Sequence, residues 1–368
     1  MNKAIVAGLA AGVLVVGLIL SPVFTGVPLF SAQPAQAQST GNTKHITLIA
    51  DETVVQVAPA NPLHPGGIMY NAMVFNGTIP GPVISVHQGD MVEITLTNEG
   101  ETIHSIDFHA GFGPSKALSG NVAPGETKTW TLEAVNAGVF YYHCGADGLN
   151  GIWEHIANGM YGGIVVHPHN EKPAKEFYVV FGEIYNAADG GPFVGSNGQT
   201  GSFDLVKLWT NNPDIMLTNG MAHKYVPGIG VASQIPLNPD AELFMVKPGE
   251  LTRWYLVNPG PNQFLAFHFI SGMIDVRDGS INTSNGGRYG TQMKNDETWT
   301  IPPGSATVIE SVFPEEGVYV GVSHSMEHVL KGAAFAVVAS NDSTDDDHPE
   351  GTAVMSMEET MESSSMMG

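Results

Sequence analysis

A single cysteine lies beside a histidine in the tripeptide Tyr142-His143-Cys144, and His155 and Met160 follow on a glycine-rich connection. A thiolate, imidazoles and a thioether close together are the ligands of a trigonal copper site, in which two histidines and one cysteine bind the metal and a methionine binds weakly along the axis. These residues therefore predict a copper ion whose second histidine comes from elsewhere in the chain.

The run from His104 to His109 supplies further candidate ligands. In an extended chain successive side chains alternate faces, so Asp107 and His109 share one face and His104 takes the other. For the same reason the adjacent His143 and Cys144 point in opposite directions. The candidates divide into one group of His104, Cys144, His155 and Met160, and a second group of Asp107, His109 and His143. Two groups joined by one peptide link predict two metal ions, with His143-Cys144 as a covalent route for an electron.

Each of these residues has a simpler interpretation when it is taken alone. A lone buried cysteine is usually a small hydrophobe, and any one of the 14 histidines is more often structural than a metal ligand. The joint occurrence of the complete ligand set favours the metal sites, because copper of this kind requires those ligand types together.

The composition excludes several classes of protein. The chain has 368 residues with 14 Lys and Arg against 36 Asp and Glu, a net charge of −22, so a nucleic-acid partner is not expected. One cysteine excludes an intrachain disulfide and a cysteine-rich zinc or iron–sulfur site. Charged residues make up only 14%, and the 44 glycines and 24 prolines favour turns between strands.

The elements that must position these residues are short strands separated by turns. Residues 46–57, 91–96, 127–132 and 162–167 are rich in β-branched or apolar residues, and Asn76-Gly77 and Pro124-Gly125 are turn signals. The second half repeats the pattern: Gly317-Val318-Tyr319 matches Gly138-Val139-Phe140. We therefore expect an all-β chain of two tandem β-sandwiches, with domains at residues 44–168 and 175–339 and a linker between them.

The two ends of the chain are predicted to lie outside these domains. Residues 1–37 contain an apolar run and end in Ala35-Gln36-Ala37, which predicts an export signal, with a retained N-terminal anchor as the competing interpretation. Residues 340–368 are acidic, rich in serine and methionine, and contain no Lys or Arg. They are expected to form a mobile tail, which either serves only for solvation or handles copper through its thioethers.

Taken together, the motifs resemble the copper-containing, nitric-oxide-forming nitrite reductases, a family of two-domain cupredoxin proteins. The resemblance implies that the two sandwiches are tandem cupredoxin-like Greek-key β-sandwiches. The likeness covers roughly residues 46–339. It implies one type 1 copper per subunit, which receives electrons and is held by the residues matching His104, Cys144, His155 and Met160. It also implies one type 2 copper, which binds nitrite and is held by the residues matching His109, His143 and His324.

The resemblance implies further roles around the nitrite site. Asp107 matches the family's proton-donating aspartate, His268 its second catalytic histidine, and Ile270 the isoleucine that crowds the pocket. Glu297-Thr298 matches a supporting pair near that histidine. In the family, His268, Ile270 and His324 come from a neighbouring subunit, so the site exists only at a homotrimer interface.

The implied reaction is the one-electron reduction of nitrite to nitric oxide and water, with two protons consumed. Asp107 and His268 are the implied donors, and a small soluble electron donor such as a cupredoxin or a cytochrome is the implied partner. The chain departs from the family between Cys144 and His155, where the loop is longer than usual and carries glycines in place of proline. This departure affects the surroundings of the type 1 copper and leaves its ligand set intact.

Two other functions are weighed against this one. A two-domain multicopper oxidase reducing dioxygen needs paired His-x-His motifs for a trinuclear cluster, yet Cys144 is followed by Gly145 and the pair His167 and His169 lies at the predicted linker. An electron carrier with type 1 copper alone leaves the match of the four other histidines unexplained.

Overall fold

The computed structural model describes residues 43–60, 66–111, 120–146, 148, 151–169, 171–187, 200–228, 238, 240–276, 293–349 and 352. These residues belong to one compact unit. The predicted export signal or anchor at residues 1–37 and the end of the predicted tail at residues 353–368 fall outside the described residues. Within the described ranges, no helix has the length and apolar character needed to cross a membrane.

The N-terminal half, residues 43–167, contains two four-stranded sheets. Its elements are β1 (Thr43–Ala58), β2 (Ile68–Phe75), β3 (Ile84–His87), β4 (Met91–Asn98), β5 (Asp107–Phe108), β6 (Thr127–Glu133), β7 (Gly138–His143), α1 (Ile152–Ala157) and β8 (Tyr161–His167). One sheet has the strand order β2-β1-β4-β6, and the other has the order β3-β8-β7-β5.

The C-terminal half, from residue 175 onward, has a six-stranded and a five-stranded sheet. Its elements are β9 (Lys175–Ile184), α2 (Leu205–Trp209), β10 (Ile215–Thr218), β11 (Phe244–Val246), β12 (Leu251–Gly260), β13 (Leu265–Ile270), β14 (Ile274–Val276), β15 (Met293–Asp296), β16 (Trp299–Ile301), β17 (Ser305–Val312), β18 (Gly317–Ser323), α3 (Met326–Lys331) and β19 (Ala334–Ala339). The strand orders are β10-β9-β12-β17-β14-β15 and β11-β19-β18-β13-β16.

The predicted strands form where the sequence pattern placed them. Residues 46–57, 91–96, 127–132 and 162–167 fall within β1, β4, β6 and β8. In β4 every second side chain is buried, as its alternating Val, Ile and Leu residues require of a strand with one face toward a core. The all-β class is therefore confirmed, and the division into domains at 44–168 and 175–339 stays a prediction.

Strand β7 is buried on both faces, because each face contributes to a different core. Phe140 and Tyr142 belong to a core inside the N-terminal half, together with Cys144. Val139 and Tyr141 belong to a second core, which also includes residues of the C-terminal half. Side chains that alternate along β7 therefore enter separate environments. For the same reason the neighbouring side chains of His143 and Cys144 point in different directions.

The structure differs from the sequence prediction at the start of the acidic tail. Residues 340–349 and 352 pack against the C-terminal half: Ser343 is buried, the His348 ring lies 4.8 Å from that of Phe177, and the Tyr178 amide donates to the Thr352 carbonyl at 2.8 Å. The contacts of Ser343, His348 and Thr352 involve no carboxylate, so the acidic composition gave no sign of them, whereas the Asp345 carboxylate pairs with Lys247 at 3.0 Å.

A buried carboxyl group anchors the turn that leads into β13. Glu183, on β9, is almost inaccessible, and its carboxylate accepts hydrogen bonds from the amides of Asn262 at 3.0 Å and Gln263 at 2.6 Å. The Tyr185 hydroxyl also donates to it. Burial raises the pKa of Glu183 to about 7, although these donors act in the opposite direction.

Replacement of Glu183 with glutamine should change how stability depends on pH. The unfolded carboxyl ionises near pH 4.5 and the folded one near 7, so the folded state binds more protons in this window and wild-type stability falls as pH rises through it. We expect Glu183→Gln to remove this loss, which amounts to about 1–3 kcal/mol. In thermal melts, the melting temperature of the variant relative to wild type should increase between about pH 5 and about pH 8. The exposed control Glu315→Gln should show a melting-temperature difference from wild type that does not change with pH. The same constant difference in Glu183→Gln would contradict the role of Glu183.

Candidate metal centres

The first group of candidate ligands converges on the Cys144 sulfur. The Nδ1 atom of His155 lies 3.2 Å from Sγ and that of His104 lies 3.8 Å from it. All three residues are buried. Met160 is fully buried in the same core, and its carbonyl accepts the Cys144 amide at 3.0 Å. The structure therefore brings together the four residues that the sequence grouped.

Different local structures position these four residues. His104 exchanges backbone hydrogen bonds with Val122, at 3.1 and 2.7 Å, and lies before the short strand β5. His155 lies on α1, a helix within the connection that the sequence marked only as glycine-rich. Met160 immediately precedes β8, next to Cys144 at the end of β7. The site is thus fixed by the adjoining ends of β7 and β8, by the bridge at His104 and by helix α1.

The electrostatics of this cluster suit a soft metal ion. Burial raises the pKa of the Cys144 thiol to about 12, although the amides of Ala146 and Ser105 donate to the sulfur. Burial lowers the pKa of His104 and outweighs the nearby Glu52 carboxylate. A thiol that resists ionisation gives up its proton when a metal binds, and neutral imidazoles are metal ligands. The donor set fits copper held by two nitrogens and one sulfur.

Glu52 contacts the first cluster, and the sequence analysis missed it. It lies on β1, 52 residues before His104, and its Oε1 atom lies 2.9 Å from His104 Nε2. Burial acts to raise its pKa, but the donors Thr102 and the Glu101 amide, together with the charge of His104, outweigh burial and lower it. An ionised carboxylate therefore holds the outer nitrogen of His104 and directs Nδ1 toward the sulfur. No local motif marks it, because the contact forms only between strands distant in sequence.

The second group converges on His143 from the opposite face of β7. Asp107 pairs with His143 directly across the antiparallel register of β5 and β7. Their side chains approach to 4.0 Å between Oδ2 and Nε2, and His109 Nε2 lies 3.1 Å from His143 Nε2. His143 Nδ1 donates to the Cys144 carbonyl at 2.9 Å. Its Nε2 atom is thereby left facing the second group.

The surroundings of this group favour neutral ligands and access from outside. Burial lowers the pKa of His143 and outweighs both the Cys144 carbonyl and the Asp107 charge. His109 is exposed, whereas only 3% of the His143 surface is accessible. Two imidazole nitrogens that converge beside a carboxylate, with one side open, fit a metal that also binds a small ligand.

The C-terminal half presents the remaining candidates together on its surface. The ring centroids of His268 on β13 and His324 after β18 are 5.4 Å apart, and Ile270 on β13 is 43% exposed. His268 Nδ1 donates to the Glu297 carbonyl at 2.7 Å. In the described part of the chain, no atom of His324 is among the donor atoms within 4.8 Å of one another around His109 and His143. Within one chain the second group therefore lacks this third histidine.

Other histidines occupy structural positions. His328 is buried, with Nδ1 at 2.9 Å from Ser323 Oγ and Nε2 at 3.0 Å from Gln263 Oε1. His167, one of the pair considered for dioxygen chemistry, lies 3.3 Å from Glu171, whose other oxygen pairs with the buried Arg253 at 3.1 Å. His167 therefore belongs to a network of ion pairs between the halves.

The fold and the two clusters define a class of protein: paired β-sandwiches whose His143-Cys144 dipeptide links a buried cysteine-histidine cluster to an open imidazole cluster. Residues 57–171 match the family model described as multicopper oxidase. The copper-containing nitrite reductase of Cereibacter sphaeroides is 32% identical, over 74% of this chain and 71% of that protein. A solved structure of the copper nitrite reductase from Nitrosomonas europaea is 32% identical, with a TM-score of 0.69 over 85% of this chain and 100% of that one.

The chain therefore belongs to the copper-containing nitrite reductase family. Its relative from Neisseria meningitidis serogroup A is 31% identical over 73% of this chain. The chain spans 64% of that relative's length.

Proposed function

We propose that this protein reduces nitrite to nitric oxide and water, taking one electron from a donor and consuming two protons. The observation that carries the proposal is that the adjacent His143 and Cys144 belong to separate clusters on opposite faces of one strand. This arrangement suits a reaction in which an electron enters at one site and is used at another a few bonds away. Copper supplies the one-electron couple and the open position for nitrite when it is bound.

The buried cluster is the proposed electron-entry site. His104, Cys144 and His155 would hold type 1 copper, with Met160 as the weak axial ligand. Burial keeps water from the sulfur, and helix α1 and the ends of β7 and β8 fix the ligand positions. The electron would then follow the bonds of Cys144 and His143 to the second cluster. A small soluble cupredoxin or cytochrome is the proposed donor.

The second cluster is the proposed nitrite site, and we propose that a homotrimer completes it. His109 and His143 would hold type 2 copper together with His324 of a neighbouring subunit. Both His109 and His324 are exposed on the single chain, as residues that meet across an interface must be before assembly. Three neutral imidazoles leave the metal its full charge, which attracts an anion despite the acidic chain.

Asp107 and His268 are the proposed proton donors. The Asp107 side chain is 33% exposed and lies 4.0 Å from His143 Nε2, so it can contact both a bound anion and solvent. His268 is held by the Glu297 carbonyl through Nδ1, which leaves Nε2 free to carry a proton to the site. Ile270, exposed beside it, would limit the pocket to a small anion. We place the protein outside the cytoplasm, exported by residues 1–37.

The test is copper content per chain in size-separated fractions, combined with paramagnetic resonance spectra recorded with and without nitrite. We expect a trimer with two coppers per chain, one with a thiolate signature and one whose signal nitrite shifts, together with nitric oxide production under a reductant. About four coppers per chain with a spin-coupled pair would indicate a dioxygen-reducing oxidase instead. Type 1 copper alone would indicate an electron carrier.

Replacement of Glu52 with glutamine should raise the reduction potential of the type 1 copper. The carboxylate beside His104 stabilises the oxidised metal more than the reduced one, because the oxidised ion carries more positive charge. A tenfold change in relative affinity corresponds to about 60 mV for one electron, and we expect a rise of about that size on redox titration of the type 1 absorption.

The matched control for this prediction is Glu93→Gln, which removes a carboxylate that pairs with the exposed His45 at 2.8 Å. The control should leave the potential unchanged. A Glu52→Gln potential equal to that of wild type would show that the carboxylate has no influence on the copper.

A further inference from the structure

The aromatic ring of Tyr141 lies against both histidines of the open cluster. Tyr141 precedes His143 by two residues on β7, so both side chains share a face. The Tyr141 ring centroid is 5.0 Å from that of His143, with 28° between the planes, and 4.0 Å from that of His109. The Tyr141 carbonyl also accepts the His109 amide at 3.1 Å. Tyr141 thus contacts His109 through its backbone carbonyl and its ring, and it contacts His143 through ring stacking.

The Tyr141 ring is itself held firmly. It is 5% exposed and belongs to the core that joins the two halves of the chain. Its hydroxyl oxygen lies 3.1 Å from the place where a side chain at Gly304 would begin. Gly304 has a φ of 71°, in the left-handed region that glycine adopts most easily. The turn before β17 therefore passes close to the end of the tyrosine ring.

Tyr141 packs against this cluster as an uncharged ring. Burial raises its pKa well above the ordinary value, and the nearby Asp107 charge acts in the same direction. Its contact with the two histidines is made through the face of its ring.

We propose that Tyr141 is a positioning residue that fixes the planes of His109 and His143, so that their Nε2 atoms, 3.1 Å apart, face the same point. His109 is exposed, and the face of the Tyr141 ring, 4.0 Å away, limits the orientations that its ring can adopt. Preorganised ligands bind a metal more tightly than mobile ones, because less freedom is lost on binding. This inference rests on the proposed function, since it assigns the second cluster as a copper site.

The test compares Tyr141→Leu and Tyr141→Phe in the full-length protein. We expect Tyr141→Leu to weaken binding of Cu²⁺ at the second site by about 10–100-fold in competition with a chelator. Its type 2 resonance should broaden or change hyperfine splitting, while the type 1 absorption stays that of wild type. Tyr141→Phe keeps the ring and should match wild type in both measurements. Tyr178→Leu removes another tyrosine of the same shared core and serves as the control for general loss of packing.

The outcomes separate this inference from the proposed function. If wild type shows type 2 copper and Tyr141→Leu shows the same affinity and spectrum, the positioning role is overturned and the nitrite reductase proposal stands. A Tyr141→Phe variant as weak as Tyr141→Leu would also overturn it, because the hydroxyl rather than the ring would then matter. The Phe variant keeps the proposal testable even if Tyr141→Leu fails to fold. If wild type binds no type 2 copper, both proposals fail.

Discussion

Replacement of Asp107 with asparagine is expected to lower nitrite turnover by about 10²–10⁴-fold, the usual contribution of a general acid. Asparagine keeps the shape of the side chain but cannot give up a proton at neutral pH. The carboxylate lies opposite His143 across the β5–β7 register and is partly exposed, so it can take protons from solvent and deliver them at the cluster. Steady-state nitric oxide formation with a chemical reductant measures the effect.

Two further measurements make the Asp107→Asn result specific. The type 1 absorption should be unchanged, because Asp107 lies on the face of the chain opposite the Cys144 cluster. Asp346→Asn removes an exposed carboxylate from the C-terminal segment and should leave turnover at the wild-type level. Turnover of Asp107→Asn equal to wild type would refute its role as proton donor and leave it as a residue that orients an imidazole.

Replacement of Cys144 with serine is expected to abolish the thiolate absorption and reduce nitrite turnover to background. Serine has a similar size, but its oxygen is a poor ligand for a soft copper ion and its alkoxide does not form at neutral pH. The type 2 resonance should persist, because His109 and His143 lie on the other face of β7. Absorption spectra, resonance spectra and turnover of the same preparation together provide the check.

The matched control for Cys144→Ser is Met160→Gln, which changes the weak axial ligand and keeps the thiolate. Glutamine also serves as an axial ligand in sites of this kind, so the absorption should remain with a shifted potential and turnover should fall only in part. Undiminished turnover in Cys144→Ser would mean that electrons reach the second cluster without the thiolate site.

The division of candidate ligands into two groups followed from the alternation of side chains alone. His143 and Cys144 are adjacent at the end of β7, so their opposite directions were certain once a strand was assumed. For the His104–His109 run the assumption was too simple, since only Asp107–Phe108 forms a strand and His104 makes an isolated bridge with Val122. The donor atoms nevertheless lie together in two sets, which are His104, Cys144 and His155, and Asp107, His109 and His143.

Tyr141 illustrates which contacts strand alternation can indicate and which it cannot. Its position two residues before His143 placed it on the same face, so alternation could have indicated it. Only the structure shows that its ring contacts His109 as well, because that contact depends on the pairing of β5 with β7.

The sequence by itself indicated the candidate ligands, the all-β class and the separation of the two clusters, because strand alternation is a local property with a period of two residues. The tertiary structure decided which distant residues support those ligands. Glu52 reaches His104 from a strand 52 residues away, α1 places His155 within reach of the sulfur, and residues 340–349 pack where composition predicted a mobile tail. These contacts depend on strand order and packing between elements, which no local pattern encodes.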